Sequence, residues 1–337
     1  MTNNPYYDQD FFSFLWIFVQ RLFGFMTGQL DLSNMAVDEV QIGVLSLVAV
    51  SSALIGTFLV LRRMTMLANA LSHTILLGIV IAYLLTNAHT NEASQHLGGL
   101  DIQAMLIAAV VTGLGTAFLT QFSTTTIGLQ EDASTGLVFN VLFVLGIVLV
   151  TLFTRNSHIG VEAIMGNVDA LQVSDLNLVF VILILNLVVL CAFYKEFKIT
   201  TFDPLLSQAL GISVGLFNYL LMLQVSITSI GAFRAVGVIM VLALMTGPPL
   251  TARLLTHRLG CLLWVSAGLG VLAAIFGVAL ARHMLTMFDI ALSTAGLVVC
   301  VIVAFFVLGL LWARYRRGAN KPKKDSYEKN ATIKPMF

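Results

Sequence analysis

Long apolar runs fill the chain from residue 41 onwards, and short polar stretches separate them. The runs cover residues 41–61, 68–86, 101–121, 135–153, 176–194, 213–230, 235–252, 261–281 and 290–312. A helix needs roughly 20 apolar residues to cross about 30 Å of hydrocarbon, and runs of this kind have that length. The pattern predicts an all-α integral membrane protein, a polytopic bundle of about nine transmembrane helices.

The segment before the first run, residues 1–40, has a different character. Residues 11–27 are rich in aromatic side chains but carry Gln20 and Arg21 near their middle. A charge at the bilayer centre is costly, whereas a helix at the membrane surface accommodates it. We therefore predict that residues 11–27 form an interfacial helix within an extracytoplasmic segment, the alternative being a further span.

Composition excludes a soluble protein. Of the 337 residues, 58% are hydrophobic and 10% are charged, against about 25% charged in soluble domains. The mean hydropathy of +0.93 agrees. Three cysteines lie within apolar runs at no metal-ligand spacing, so they are predicted to be small hydrophobic side chains: Cys191, Cys261 and Cys300.

The distribution of basic residues orients the predicted helices. With residues 313–337 taken as a basic cytoplasmic tail, nine spans place 14 of the 18 Lys and Arg on the inner side, among them Arg62 and Arg63. Such a bias is what the positive-inside rule requires, and eight spans would break it. The four others are predicted outside: Arg21, Arg155, Arg234 and Arg282. The tail is interpreted in the same way, as an inner-side segment and not as a nucleic-acid site.

No G-x-x-x-x-G-K-[ST] sequence occurs in the chain. Without this phosphate-binding loop the chain is not expected to hydrolyse ATP, so we predict no enzymatic activity of its own. Energy for any transport would come from a partner or from an ion gradient.

Asn69 and His73 stand four residues apart inside the second apolar run. On a helix this spacing places both on one face, where both could contact one small cation. Neutral imidazole is a good ligand for divalent transition metals, and an amide oxygen is a weaker one. The alternative is that His73 is a packed polar residue, and the spacing alone leaves both interpretations open.

A polar connection at 194–212 contains signals for a short helix. Asp203 is suited to the N-cap, Pro204 to the first helical position and Gly211 to the C-terminal stop. An amphipathic helix between two spans on the basic side is a docking surface for a soluble partner, or else a plain linker.

An acidic pair precedes the fourth apolar run, and a proline pair lies within the seventh. Glu131 and Asp132 precede a stretch of small residues, where acids complement a helix dipole; a direct role in transport is the alternative. Pro248 and Pro249 are predicted to break or kink the seventh span near its inner end, because proline cannot donate a backbone hydrogen bond.

The chain resembles the membrane permease subunit of the ABC importers for manganese, zinc or iron. The similar stretches are LVLRRMTMLANALSHTILLG, EDASTGLVFNVLFVLGIVLV, FYKEFKITTFDPLLSQALGI and RAVGVIMVLALMTGPPLTARLL. They follow one another in the family's order between residues 45 and 312.

The resemblance implies a permease domain over residues 41–312 in the bacterial cytoplasmic membrane. It implies two cytoplasmic ATPase subunits, an extracytoplasmic metal-binding lipoprotein and a second permease subunit, as a homodimer or heterodimer. A cytoplasmic coupling helix would insert into the ATPase and would include Asp203, Pro204, Ala209 and Gly211. No permanently bound cofactor is implied; manganese, iron or zinc is the transported ion.

The resemblance also implies that His73 contacts the metal, but the neighbouring position departs from the family. The family has Gly-Asp-Ala-Leu-Ser-His where this chain has Ala68-Asn69 before Ala-Leu-Ser-His73. The amide of Asn69 lacks a Coulomb attraction to a divalent ion of about a few kcal/mol. A heterodimer, in which a related permease supplies the acid, is therefore one hypothesis.

The alternative function is a gradient-driven cation carrier without an ATPase, although few ionisable residues besides His73 lie within the predicted spans.

Overall fold

The computed structural model describes residues 5–6, 9–27, 35–66, 70, 74, 77–78, 80–81, 102–153 and 168–319. Throughout these ranges the regular structure is helical. The helices are α1 Phe11–Met26, α2 Val37–Leu61, α3 Ile102–Thr126, α4 Glu131–Phe153, α5 Val173–Ala192, α6 Tyr194–Phe202, α7 Pro204–Ala209, α8 Val214–Val236, α9 Val238–Leu255, α10 Leu259–Phe288 and α11 Thr294–Ala319. One 3₁₀ turn, Val168–Ala170, precedes α5.

The helices confirm the all-α membrane architecture. Six of them contain segments long and apolar enough to cross a bilayer: α2, α5, α8, α9, α10 and α11. Helices α3 and α4 coincide with the third and fourth predicted spans. The second predicted span, residues 68–86, lies largely outside the described residues, so the total of about nine spans stays a prediction.

The boundary between the sixth and seventh predicted spans differs from the expectation. Helix α8 continues to Val236, beyond the predicted end of the sixth span at residue 230, and α9 begins at Val238. The chain turns instead at Gly237, whose φ of 84° is accessible mainly to glycine.

The break predicted at Pro248 and Pro249 does not occur, and the kink that was its alternative stays a prediction. Helix α9 runs through Pro248 and Pro249 to Leu255. The prolines deny helical donors to two carbonyls, and one of them is that of Met245, four residues before Pro249. Membrane helices tolerate proline where neighbouring elements compensate for such groups. Here α2 approaches closely, since a Cβ on Gly56 would lie 1.9 Å from the Met245 oxygen.

Helix α2 forms the centre of the bundle and packs against α5, α9 and α10. Small residues bring these helices together: a Cβ on Gly270 of α10 would lie 3.1 Å from the Ala49 Cβ. Close backbone approach of this kind drives helix association in membranes, where lipid competes for ordinary apolar contacts. Helices α3 and α4 pack on each other, and α3 packs on α8.

Ion pairs fasten one end of α2. Arg282 donates from Nε to the Asp38 Oδ1 at 2.8 Å and from Nη2 to Oδ2 at 2.9 Å. Arg21 of α1 pairs with Glu39, which also accepts from the Tyr6 hydroxyl at 2.8 Å. We call this the outer end of the bundle, following the charge distribution, and the opposite end the inner end. Arg21 is thus compensated by a carboxylate, and the interfacial placement of α1 stays a prediction.

Candidate functional site

The inner end carries the short helix expected between the fifth and sixth spans. The Asp203 carboxylate accepts a hydrogen bond from the Leu206 N–H at 3.0 Å, and Pro204 occupies the first turn of α7. The helix ends at Ala209, and Gly211 follows with a φ of 76°. The predicted N-cap, helix start and glycine stop are confirmed.

Hydrogen bonds around Ser207 close this helix into a compact turn. The Ile212 N–H donates to the Ser207 carbonyl at 2.9 Å, and the Ser207 hydroxyl donates to the Ile212 carbonyl at 3.0 Å. Ser207 is completely buried. Because both ends of the helix are bonded, α7 has a defined shape before any partner binds.

The surface of α7 is apolar although it lies among polar residues. Leu205 is 78% exposed and Leu210 is 59% exposed. Exposed apolar patches rimmed by polar groups mark protein interaction sites. A cavity of about 460 Å³ lies at the inner end between α6 and the connection from α9 to α10, and its lining is Tyr194, Lys198, Phe202, His257, Arg258, Leu259 and Gly260. The inner end therefore presents both exposed leucines and a basic cavity.

Arg62, the C-cap residue directly after α2, connects that helix to the two helices that flank α7. Its Nε donates to the Thr201 Oγ1 at 3.0 Å, and its Nη2 donates to the Thr200 Oγ1 at 2.7 Å. Nη1 donates to the Asn218 side-chain oxygen. Thr200 and Thr201 belong to α6, and Asn218 belongs to α8. One guanidinium thus bonds the helix before α7 and the helix after it.

A cluster of three phenylalanine rings packs against the Arg62 guanidinium and against one another. The Phe197 ring is fully buried, and the Arg62 guanidinium carbon lies 5.9 Å from its centroid. The ring centroids of Phe58 and Phe217 are each 5.4 Å from that of Phe197. Since Phe58 lies on α2 and Phe217 on α8, the rings join the same helices as Arg62 does. The sequence interpretation took Arg62 only as a marker of the inner side.

The predicted metal ligands Asn69 and His73 lie outside the described residues. Their described neighbours Ala70 and Thr74 are helical and buried. The Thr74 hydroxyl accepts from the Thr116 Oγ1 of α3 at 3.2 Å. Within the described ranges no group of three or more His, Cys, Asp and Glu could hold a metal ion. The assignment of His73 and Asn69 stays a prediction.

A polar cluster inside the bundle was not predicted from the sequence. The Asn186 amide of α5 donates to the Ser51 Oγ of α2 at 2.7 Å and to the Thr228 Oγ1 of α8 at 2.6 Å. The Gln224 amide donates to the Asn186 carbonyl at 3.3 Å. An amide within an apolar run could have signalled this cluster, because polar side chains in a span face the bundle interior.

A family model for the ABC 3 transport family matches residues 39–313, most of the chain. The chain belongs to this family. Curated members include a "Probable metal transport system membrane protein" of Chlamydia muridarum, 40% identical over 314 residues, with 93% of this chain and 96% of that protein covered. The manganese transport system membrane protein MntD of Bacillus subtilis is 42% identical over 244 residues, with 68% and 79% covered.

Structural similarity agrees with the family. The structure of PsaBC from Streptococcus pneumoniae in complex with Fab matches with a TM-score of 0.69 at 25% identity, covering 86% of this chain and 97% of that one. The resemblance noted from the sequence is therefore confirmed. As an ABC 3 family member with six long apolar helices, the chain is a multi-pass protein of a bacterial cytoplasmic membrane.

Proposed function

We propose that the chain is the permease subunit of an ATP-driven importer of a divalent transition-metal ion, namely manganese, iron or zinc. The observation that carries the proposal is the preformed, leucine-exposing α7 at the inner end of an ABC 3 family bundle. A helix presented in this way suits a soluble ATPase, and relatives named for metal or manganese transport indicate the cargo. The first ion to test is manganese.

In this proposal α7 is the coupling helix, and Asp203, Pro204, Ala209 and Gly211 define it. The cap and the positive-φ glycine fix its two ends, so the exposed Leu205 enters a groove on the ATPase without ordering the helix first. Preorganisation lowers the entropic cost of association. The basic cavity between α6 and the α9–α10 connection would receive acidic side chains of the ATPase.

The cargo would pass between residues 41–312 of this subunit and a second permease, after delivery by an extracytoplasmic lipoprotein. His73 would contact the metal with Asn69 beside it or with an acid from a heterodimeric partner. The burial of Ala70 and Thr74 supports an interior position for this stretch. The segment 313–337 would stay in the cytoplasm and residues 1–40 outside.

The docking role of α7 is tested by placing a charge on its exposed apolar surface. Leu205→Glu should abolish co-purification of the ATPase with the tagged chain from native membranes, because a carboxylate would enter an apolar groove. Ile290→Glu is the matched control, since Ile290 is 52% exposed between α10 and α11 at the outer end. Equal ATPase recovery with both variants would refute docking through α7.

The metal role is tested at His73. His73→Ala should abolish manganese uptake while the variant still reaches the membrane and still retains its ATPase. Wild-type uptake by such a variant would remove His73 from the proposed path. Competition by zinc and iron in the same assay identifies the preferred ion.

A further inference from the structure

The chain leaves α2 through a turn with a fixed geometry. The Met64 N–H donates to the Leu59 carbonyl at 2.9 Å, and the Arg63 N–H donates to the Val60 carbonyl at 3.3 Å. Arg63 between them has a φ of 61°. These are the two hydrogen bonds of a Schellman motif, which closes a helix and sets the direction of the following chain. We call residues 59–64 the α2 corner.

Arg62 in this corner reaches both flanks of the docking helix. Its acceptors Thr200 and Thr201 lie at the end of α6, directly before Asp203 and α7. Its third acceptor, Asn218, lies in the first turns of α8, which begins shortly after α7. A displacement of α7 that moves either flanking helix therefore acts on the Arg62 guanidinium.

We propose that Arg62 is a positioning residue that transmits movement of the ATPase-docking helix to α2. This inference rests on the proposed function. The planar guanidinium holds several acceptors in one plane, which a lysine ammonium does not do. Charge-assisted hydrogen bonds are stronger than neutral ones, and the Phe197 ring below the guanidinium restricts its motion. Helix α2 packs on α5, α9 and α10, so a shift of its inner end reaches much of the bundle.

A purely stabilising role for Arg62 makes a different prediction from a transmitting one. If Arg62 only holds the fold together, its loss lowers the amount of active complex, and transport and ATP hydrolysis fall in proportion. If Arg62 transmits movement, the ATPase still binds and hydrolyses ATP, but hydrolysis no longer drives transport. The ratio of metal imported to ATP hydrolysed separates the two roles.

The test uses the complete complex in proteoliposomes, with manganese as the probe. Arg62→Ala should lower manganese imported per ATP by about tenfold, within the usual range of coupling between two sites. Thr201→Val, which keeps the side-chain shape and removes one acceptor, should lower the ratio less. Arg63→Ala is the matched control, because it keeps a non-glycine residue at the same φ and leaves the Arg62 contacts intact. An unchanged ratio for Arg62→Ala, or loss of the ATPase from that complex, would overturn the proposal.

Hydrogen exchange supplies a readout that does not depend on metal transport. In wild-type complex, ATP binding should alter amide exchange both at residues 203–212 and in the α2 corner. In Arg62→Ala the response at 203–212 should remain and the response in the corner should disappear. A corner response that persists without Arg62 refutes transmission through this residue. Absence of wild-type metal uptake would instead refute the proposed function, and the exchange experiment would still decide the role of Arg62.

Discussion

Replacing Gly56 by alanine tests a close contact between α2 and α9. The added Cβ would lie 1.9 Å from the Met245 oxygen, 2.7 Å from its carbonyl carbon and 3.0 Å from its Cα. All three are backbone atoms, so no side-chain rotation relieves the clash. Ordinary contact begins at 3.4 Å, so α2 and α9 must separate locally by about 1.5 Å.

The energetic cost follows from this displacement. Overpacking costs about 1–3 kcal/mol, and a rigid backbone obstacle places Gly56→Ala at the upper end of that range. The better helix propensity of alanine returns up to about 1 kcal/mol. We therefore expect a net destabilisation of about 2–3 kcal/mol.

The assay is the apparent Tm of the purified chain in detergent, together with its folded yield from membranes. Gly56→Ala should melt several degrees below wild type and give less monodisperse protein. Gly268→Ala in α10 is the control, because a Cβ there meets no atom within 4 Å. If both variants melt like wild type, α2 and α9 do not approach each other as the structure describes.

Three further variants test the N-cap of α7, the ion pair at the outer end and the polar cluster inside the bundle. Asp203→Ala removes the α7 N-cap at a cost of about 1 kcal/mol and should weaken ATPase co-purification, while Asp203→Asn should restore most of it. Arg282→Ala removes two charge-assisted hydrogen bonds from the buried Asp38 carboxylate and should lower stability by about 3 kcal/mol, and adding Asp38→Asn should recover much of the loss in apparent Tm. Asn186→Leu removes two interhelical hydrogen bonds and should cost about 1 kcal/mol in the same measurement, with no effect on ATPase binding; a loss of binding would contradict its structural role.

Features determined by local sequence were predictable. The apolar runs gave the positions of the helices, since length and hydropathy decide what can cross a bilayer. The order Asp203, Pro204 and Gly211 gave the limits of α7, because each residue acts within one or two turns. The same local reasoning predicted a break or a kink at Pro248 and Pro249, and no break occurs there. The approach of Gly56, almost 200 positions away in the chain, is a tertiary contact that local sequence does not contain.

Contacts between distant residues account for what the sequence could not indicate. Arg62 meets Thr200, Thr201 and Asn218 only because α2, α6 and α8 come together at the inner end. The prediction that His73 contacts the metal rests instead on the resemblance to a family. His73 itself lies outside the described residues. The structure thus shows the helix α7, whose docking role is a proposal, and the metal ligands rest on sequence resemblance.

The proposed function requires that ATP hydrolysis by a partner drives metal import through this chain. The direct measurement is uptake of radiolabelled manganese by proteoliposomes that contain the complex purified through the tagged chain, with the metal-binding lipoprotein on the opposite side from ATP. If import is driven by ATP, uptake requires ATP and continues after ionophores abolish all ion gradients. Uptake that needs no ATPase and stops when the gradients are abolished would contradict it and establish a gradient-driven carrier.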